Sequence, residues 1–287
     1  MIYDCFTFFN ELDLLELRLH TLSPHVDYFV IAEADYTFQG NPKPLYFHEN
    51  RHLFHSFDSK IIWVPVRTGQ THAWSPWERE AYQRRAIRKH FMRMNMESQC
   101  ATPSPGPDDF ILLGDVDEIP DLEYPKWREL AETAQSSSVA WIMDMTYYWV
   151  DLWISKWYGT AGMKLGEIDQ RLNGDFQKLR DYRGSTFHKF VGGWHFSFLG
   201  GVDAIQEKIK AFSHSEYLSA ADEENIRQAV SERWKRGVDV FGRDIYKFRP
   251  LAAEECERLP RYLTDNRHKF SGFFMPDTEN QRAVDAG

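Results

Sequence analysis

Apolar residues are grouped in short blocks through the first 120 positions of the chain. Four of these blocks are nearly continuous and have the length of buried strands. They lie at residues 2–8, 27–34, 60–66 and 109–114. The pattern therefore predicts four strands in the first part of the chain.

Two stretches between these blocks have the periodicity of amphipathic helices. Leucines at spacings of three and four predict a helix that Asn10 caps and Pro24 ends. A longer helix is predicted over residues 75–96, where Ser75 and Glu78 form a capping box. Its predicted buried face consists of Trp77, Ala81, Ile87, Phe91 and Met94.

Strands that alternate with helices over short connections predict an α/β fold with a mostly parallel central sheet flanked by helices. Ligands of such sheets bind beyond the carboxyl ends of the strands. We therefore expect the functional site where the strand at residues 109–114 ends.

The second half of the chain has a different pattern. Residues 139–159 predict a strand that continues into an aromatic-walled loop, and residues 160–190 predict loop or short strands. A strand is expected over 192–201, followed by helices at about 202–212 and 220–236, the second capped by Ser219 and ended by Gly237. The simplest organisation is one domain over residues 1–265, with a first half at about 1–120, a second half at about 121–265, and a C-terminal tail over 266–287, expected to be loosely ordered.

Composition excludes some classes of protein. The net charge of −9 argues against a nucleic-acid partner, because phosphate contacts need a basic face. Cys5, Cys100 and Cys256 lie far apart, which predicts free thiols in a reducing compartment. Since no signal peptide or membrane span is recognisable, we expect a cytoplasmic protein and leave peripheral membrane contact and oligomeric state open.

Three carboxylates, those of Asp115, Asp117 and Glu118, directly follow Gly114 at the predicted strand end. Carboxylates this close repel each other, and a cation between or beside them keeps them ionised. Oxygen ligands with few imidazoles nearby suit Mg²⁺ or Mn²⁺, which keeps coordination positions open for substrate phosphates. A solvated acidic turn without an ion is the alternative.

Two enzyme classes place a D-x-D sequence after an apolar strand. One comprises nucleotide-sugar glycosyltransferases of the GT-A fold. The other comprises haloacid-dehalogenase-like phosphatases, in which Asp115 would be the nucleophile. The phosphatase motif expects Thr or Val where this chain has Ile119. A non-catalytic carbohydrate-binding protein is a third hypothesis, although such a protein has no use for a nucleotide pocket.

Five blocks, in order over roughly residues 2–215, resemble glycosyltransferase family 17. They are 5-CFTFFNELDLLELRL-19, 28-YFVIAEADYTFQGNPKPLYF-47, 76-PWEREAYQRRAI-87, 110-FILLGDVDEIP-120 and 193-GWHFSFLGG-201. The resemblance implies a GT-A type nucleotide-diphospho-sugar transferase fold, a UDP-GlcNAc-type donor, a divalent metal (Mn²⁺ or Mg²⁺) and inversion at the anomeric carbon. It also implies that GlcNAc or a related sugar is transferred to a hydroxyl of a glycan or glycolipid acceptor.

The resemblance also implies roles for residues near the donor. Asp117 is the expected direct metal ligand, and Asp115 is expected to bind the ribose or the metal. Glu33, which ends the second predicted strand, is a candidate contact for the uracil or ribose, and Asn10 faces the same pocket. Arg79 and Arg84 are candidate ligands of the diphosphate, because a guanidinium is a planar fork donor.

The acceptor half has its own candidates. An inverting transfer needs a base for the acceptor hydroxyl, and Asp203 is the first choice, with Asp144 and Glu207 as alternatives. His214 is a candidate further metal ligand, and His195, which belongs to a matched block together with Trp194, is the alternative. Some aromatic side chains could pack against a face of the acceptor sugar, and about half of them should belong to the core. They are Trp141, Tyr147, Tyr148, Trp149, Trp153, Trp157 and Tyr158.

Overall fold

A computed structural model describes most of the chain. The described residues are 1–67, 73–96, 103–123, 126–133, 136–186, 188–244 and 247–276. The strands within them are β1 (Ile2–Phe8), β2 (Tyr28–Ala34), β3 (Ile61–Val66), β4 (Phe110–Asp115), β5 (Glu118–Ile119), β6 (Val139–Tyr147), β7 (Leu152–Lys164), β8 (His188–Ser197) and β9 (Arg249–Pro250). The α-helices are α1 (Leu12–Leu22), α2 (Tyr46–Glu49), α3 (Pro76–Met96), α4 (Lys126–Thr133), α5 (Leu165–Leu172), α6 (Phe176–Tyr182), α7 (Gly201–Ala211), α8 (Glu223–Ser231), α9 (Ala253–Cys256) and α10 (Arg261–Asp265).

The strands form one large mixed sheet. Its order is β3-β2-β1-β4-β7-β6-β8-β5, with β9 beside β7. The pairs β3–β2, β2–β1 and β1–β4 are parallel, whereas β7 is antiparallel to β4. The predicted α/β class is confirmed, with a large sheet that is mixed rather than purely parallel. The cause is the short connection from β6 to β7, which is too brief for a parallel crossover.

The parallel strands place their carboxyl ends at one edge of the sheet. In the strand register Thr7 pairs with Asp115, and Phe8 pairs with Glu33. The four strands predicted in the first part of the chain are confirmed, and so is the capping box, in which the Glu78 carboxylate accepts the backbone N–H of Ser75 at 2.7 Å. The sequence pattern therefore located this edge correctly.

Some local predictions were wrong. Glu11, not Asn10, is the N-cap of α1, and its side chain makes no capping bond to the helix. On α3, Trp77 is 51% exposed, and Arg79 and Arg84 are buried in its place beside Ile87, Phe91 and Met94. Arginine can replace the expected apolar residues on this face because each buried guanidinium donates to an oxygen, as described below.

The largest errors concern the middle of the chain. Residues 152–164 form β7 rather than an aromatic loop, and residues 165–182 contain α5 and α6 rather than loops or short strands. The Asp175 side chain caps α6 by accepting the backbone N–H of Gln177 at 2.9 Å. Helices this short have little periodicity to detect, which explains the failed prediction.

The helix predicted over 220–236 is shorter than expected. It begins after Asp222, not Ser219, and the α-helical part ends at Ser231, before a 3₁₀ turn that Gly237 ends in the left-handed conformation. The predicted loose tail is also wrong for its described part, because Phe270, Phe273, Phe274 and Met275 are buried. The remainder of the tail, residues 277–287, lies outside the described residues.

The chain divides into two compact units. The first contains Met1–Met143 and Tyr158–Gly193, and the second contains Asp144–Trp157 and Trp194–Gly287. In the first unit, α3, α5 and α6 contribute to a core built on β1–β4. In the second, an aromatic core gathers around Tyr147, Tyr148 and Trp234.

Two further predictions can be compared with the described residues. Cys5 and Cys256 are free thiols, as expected, while Cys100 lies outside the described residues. No helix in the described ranges is long and apolar enough to cross a membrane.

Candidate functional site

The acidic turn after β4 is held from within the first unit by Arg18 of α1. Arg18 and Asp4 of β1 form a fully buried ion pair, with Nε 2.7 Å from one carboxylate oxygen and Nη2 2.6 Å from the other. The Nη1 group of Arg18 also donates to the backbone carbonyls of Asp115, at 2.9 Å, and Glu118, at 2.7 Å. One buried cation therefore fixes the backbone path of the turn.

Gly114 is required by the packing beside this turn. A Cβ at this position would lie 2.5 Å from Oγ1 of Thr160 on β7, which is closer than real Cβ contacts. The Thr160 hydroxyl in turn donates to the Glu118 carbonyl at 2.8 Å. Gly114 thus allows β7 to approach the turn.

The carboxylate of Asp115 is bound by two arginines. Its Oδ1 accepts from Nη2 of Arg84 at 2.7 Å and from the hydroxyl of Thr7 at 3.2 Å. Its Oδ2 accepts from Nη2 of Arg180 at 2.7 Å. Burial alone would raise the pKa of Asp115, but the charges of Arg180 and Arg84 outweigh it and hold this pKa well below its ordinary value. Asp115 is therefore ionised throughout the neutral range.

Arg180 also connects Asp115 to Glu118. The same Nη2 lies 2.7 Å from Oε1 of Glu118, and Oε2 of Glu118 accepts the backbone N–H of Asp115 at 3.2 Å. Glu118 is 1% exposed and Arg180 is 6% exposed. The third carboxylate of the motif thus closes the turn on itself, with Arg180 bridging both acidic side chains.

Three arginine side chains lie near the acidic turn. They are Arg84 on α3, Arg180 on α6 and Arg183 in the turn after α6. Arg84 is bound further by Glu80, at 2.6 Å, and by the side-chain oxygen of Gln177, at 3.0 Å. Arg183, one turn after Arg180, has a lowered pKa because it is buried and because the charge of Arg180 lies nearby. Arginine side chains are therefore crowded together at the carboxyl edge of the sheet.

Of these arginines, the sequence analysis identified Arg84 and missed Arg18, Arg180 and Arg183. The last two lie in the segment that was predicted as loop. A usable signal was present, since Asp175 is a helix-capping residue type and the spacing of three between Arg180 and Arg183 places both on one helical face.

Asp117 is the carboxylate of the motif to consider for a metal ion, and its side chain is 6% exposed. Within the described ranges, no group of three or more His, Cys, Asp or Glu side chains is arranged to hold a metal. Both oxygens of Asp115 are already bound by arginine. These donors fit an ion that takes one carboxylate here and completes its coordination with substrate phosphates and water, as Mg²⁺ commonly does. They do not form a closed protein cage.

The other donor-half candidates contact the loop that follows β2. Glu33 is fully buried and accepts the backbone N–H of Phe47 at 2.7 Å and the indole N–H of Trp63 at 3.1 Å. Burial raises the pKa of Glu33. Arg79 donates to the carbonyl of Phe38 at 2.9 Å. Both side chains thus hold residues 38–47 in place, and their contacts with a nucleotide remain predictions.

Asn10 lies just beyond the end of β1. Its backbone N–H donates to the Glu11 carboxylate at 3.1 Å, and its own carbonyl accepts the N–H of Leu12 at 2.9 Å. Asn10 therefore belongs to the turn between β1 and α1, at the edge where Thr7 meets Asp115. Its predicted role in donor binding remains a prediction.

The acceptor-half candidates lie in the second unit. Asp144 accepts from the indole N–H of Trp153 at 2.8 Å and forms an ion pair with Lys156 at 2.7 Å. Asp203 is exposed in the first turn of α7. Glu207 is exposed on the same helix. The carboxylate of Asp144 is thus held by two neighbours, whereas Asp203 faces solvent.

The remaining candidates are aromatic or imidazole side chains of the same unit. His195 in β8 is 8% exposed, and its ring centroid lies 5.1 Å from that of Trp157. Trp194 is half-buried. His214 is 44% exposed and pairs with Glu216 at 2.7 Å. The predicted metal role of His214 remains a prediction.

The aromatic run divides as the sequence suggested. Trp141, Tyr147, Tyr148 and Trp149 are buried. Trp153, Trp157 and Tyr158 retain exposed surface. The guanidinium of Arg249 lies 4.7 Å from the ring centroid of Trp153, which gives this indole a polar neighbour.

A buried parallel strand that ends in an acidic turn beside arginines, at the carboxyl edge of an α/β sheet, is typical of the ligand sites of α/β enzymes. The comparison with known families shows which family the chain belongs to. The chain belongs to glycosyltransferase family 17, whose profile matches residues 1–281. This membership favours sugar transfer over the phosphatase and non-catalytic hypotheses.

Relatives and solved structures give the following comparisons. The human beta-1,4-mannosyl-glycoprotein 4-beta-N-acetylglucosaminyltransferase is 23% identical over 320 residues, covering 97% of this chain and 56% of the human chain. The mouse enzyme of that name is 24% identical over 318 residues, covering 97% and 55%. The chain thus spans about half the length of these relatives. HddC from Yersinia pseudotuberculosis matches 69% of this chain and 89% of its own with a TM-score of 0.35 and 10% identity, too weak a likeness to bear on function.

Proposed function

We propose that this glycosyltransferase transfers GlcNAc from UDP-GlcNAc to a hydroxyl of a glycan or glycolipid acceptor, with a divalent ion and inversion at the anomeric carbon. The family supports the sugar transfer, and the names of the human and mouse relatives support GlcNAc as the transferred sugar. The position of the D-x-D turn at the carboxyl edge of the sheet supports a nucleotide-sugar donor there.

The observation that carries this proposal is the arginine cluster around Asp115. Arg84 and Arg180 are nearly buried, and each binds an oxygen of that carboxylate at 2.7 Å. Guanidinium groups match phosphate oxygens as well as carboxylate oxygens, because both accept parallel N–H donors. The diphosphate of the donor would therefore bind where Arg84, Arg180 and Arg183 converge.

The charges of the cluster explain why a divalent ion belongs in the proposal. Arg84 and Arg180 are already paired with the carboxylates of Asp115, Glu118 and Glu80. Little of the positive charge of these two arginines is thus left over for a diphosphate. An ion held by Asp117 would supply the missing positive charge and stabilise the departing UDP as a Lewis acid.

The acceptor hydroxyl must lose a proton as it attacks the anomeric carbon. Asp203 is the proposed base because its carboxylate is exposed. Asp144 is better suited to hold a sugar hydroxyl, since Trp153 and Lys156 already fix its orientation. Trp153 and Trp157, which retain exposed surface, are proposed to face the apolar side of the acceptor ring.

A screen of UDP-sugars tests the proposal. Release of UDP is measured with each donor, with and without Mn²⁺, in the absence of an acceptor. We expect slow hydrolysis of UDP-GlcNAc that requires the ion and falls to background in Asp117→Ala. Wild-type hydrolysis by Asp117→Ala, or turnover unaffected by a chelator, would refute the metal role.

The arginine cluster is tested with two adjacent residues of α3. Arg84→Met is expected to weaken UDP binding about ten- to hundredfold, which corresponds to the loss of one charged hydrogen bond. Arg85→Met is the matched control, because Arg85 is 47% exposed and pairs with Asp175 at 3.0 Å, outside the cluster. Equal UDP affinity in the two variants, measured by calorimetry, would contradict the assignment of the diphosphate site.

A further inference from the structure

A second candidate binding site lies in the first unit, in the segment that follows the acidic turn. A cavity of about 330 Å³ is lined by residues of β8, of the start of α4 and of the segment after β5. This volume is at the lower end of the range for small-molecule sites. The lining residues are distinct from those that bind Asp115.

The base and one wall of the cavity are aromatic. Trp141 and Trp127 are almost fully buried, and Trp141 lies 5.9 Å, between ring centroids, from the half-buried Phe190. The indole N–H of Trp141 donates to the Asp121 carbonyl at 3.0 Å, and that of Trp127 donates to the Leu122 carbonyl at 3.2 Å. Both N–H groups are used by the backbone and both indoles are almost fully buried, so the half-buried Phe190 is the lining ring that offers apolar surface to the cavity.

Two lysines line the same cavity. Lys189 is exposed on β8, with its ammonium 5.7 Å from the ring centroid of Tyr158. Lys126 is exposed at the first position of α4. An acidic residue stabilises a helix at this position and a cation opposes the helix dipole, so Lys126 is unfavourable for the helix itself. Departures from local preference of this kind tend to occur at functional positions.

Asp121 supplies a negatively charged hydrogen-bond acceptor opposite in sign to the two lysines. Its carboxylate lines the cavity and accepts the backbone N–H of Glu123 at 3.0 Å. The position of this segment is fixed by Gly193, where a Cβ would lie 2.5 Å from the Ile119 carbonyl and the backbone φ is +98°. Aromatic rings, two cations and one carboxylate thus line one small volume.

We propose that this cavity is a subsite for a negatively charged saccharide. Phe190 would face the apolar side of a sugar, Asp121 would accept a hydroxyl, and the lysines would bind a carboxylate or phosphate. In a chain of net charge −9, two lysines at one cavity are a local reversal of sign. Together with the proposed transfer reaction, on which this step rests, such a subsite would select a glycan or glycolipid that carries an acidic group.

The binding test uses protein without donor or metal and three ligands that differ mainly in charge. Glucose 6-phosphate, glucuronate and glucose are titrated by ligand-observed NMR, with inorganic phosphate as a further probe. We expect at least one charged sugar to bind about tenfold tighter than glucose, or about 1.4 kcal/mol. It should also bind tighter than phosphate alone, and its binding should weaken at higher salt.

Variants locate the binding. In Lys126→Ala with Lys189→Ala, the charged sugars are expected to bind no better than glucose, whereas Lys210→Ala, an exposed lysine of α7, should leave binding unchanged. Phe190→Ala should weaken charged and neutral sugars alike. Saturating UDP should not displace the charged sugar, which separates this site from the arginine cluster.

The outcomes separate the two proposals. Equal affinity for charged and neutral sugars in the wild type, or a preference that persists in the double lysine variant, overturns the subsite even if UDP-GlcNAc is hydrolysed. A charge preference that depends on Lys126 and Lys189 supports the subsite even if that hydrolysis is not found. Displacement of the charged sugar by UDP would assign the binding to the arginines and overturn the proposal.

Discussion

Replacement of Arg18 by methionine tests whether the acidic turn is held from within the core. Arg18 and Asp4 are both fully buried, so the variant leaves the Asp4 carboxylate without its partner. Breaking one side of a buried ion pair costs about 3–5 kcal/mol, because the remaining charge is neither paired nor hydrated. The variant also leaves the carbonyls of Asp115 and Glu118 without the N–H donor they share.

The two consequences can be separated by adding Asp4→Asn. The second change removes the stranded charge, so the double variant should be more stable than the sum of the single variants predicts, by about 2 kcal/mol. It does not restore the donor to the turn carbonyls. Hydrolysis of UDP-GlcNAc should therefore stay as low in the double variant as in Arg18→Met.

Urea unfolding followed by tryptophan fluorescence gives the stability, and UDP release gives the activity. Arg51→Met is the control, because Arg51 and Asp58 form an ion pair in which both side chains are more than two-fifths exposed, and its loss should cost less than about 1 kcal/mol. Arg18→Lys keeps the charge but not the fork and should fall between wild type and Arg18→Met. Recovery of activity in the double variant would refute the positioning role of Arg18.

Three further predictions concern packing and charge. Gly114→Ala should destabilise the protein by about 1–3 kcal/mol in urea unfolding. Adding Thr160→Ala should recover part of this loss, since Oγ1 of Thr160 is the atom that the new Cβ would meet. No recovery of stability in the double variant would contradict the assigned clash. Because the native pKa of Asp115 is lowered, the stability that Asp115→Asn removes should be fully present above about pH 4 and should decline as the pH falls through the native pKa. A difference from wild type that grows on acidification would show the opposite sign. Phe270→Ala should cost about 3–5 kcal/mol because this side chain is 2% exposed, whereas a loss below about 1 kcal/mol would mean that residues 266–276 do not belong to the folded unit.

The parts of the fold that the sequence predicted are those in which one pattern decides the structure. The apolar runs of β1–β4 are buried on both faces, so their hydrophobicity is nearly continuous and their ends are clear. The D-x-D turn follows such an end, and Arg84 was within reach of it on a helix with a recognisable capping box. The second half failed where helices of seven or eight residues carry too few turns to show a period.

Arg18 and Asp4 show what kind of signal was overlooked. Arg18 lies among the buried leucines of α1, between Leu15 and Leu22 on the same helical face, and Asp4 lies in the middle of an apolar strand. A single charge at a position that the pattern assigns to the core is too costly to remain alone. Two such charges of opposite sign in neighbouring elements therefore predict a buried pair. The free N–H groups of that arginine must then find acceptors, and the nearest element with unpaired carbonyls is a turn at the end of the adjoining strand. In this chain that turn is the acidic one, so the charges that look misplaced in the pattern are those that shape the site.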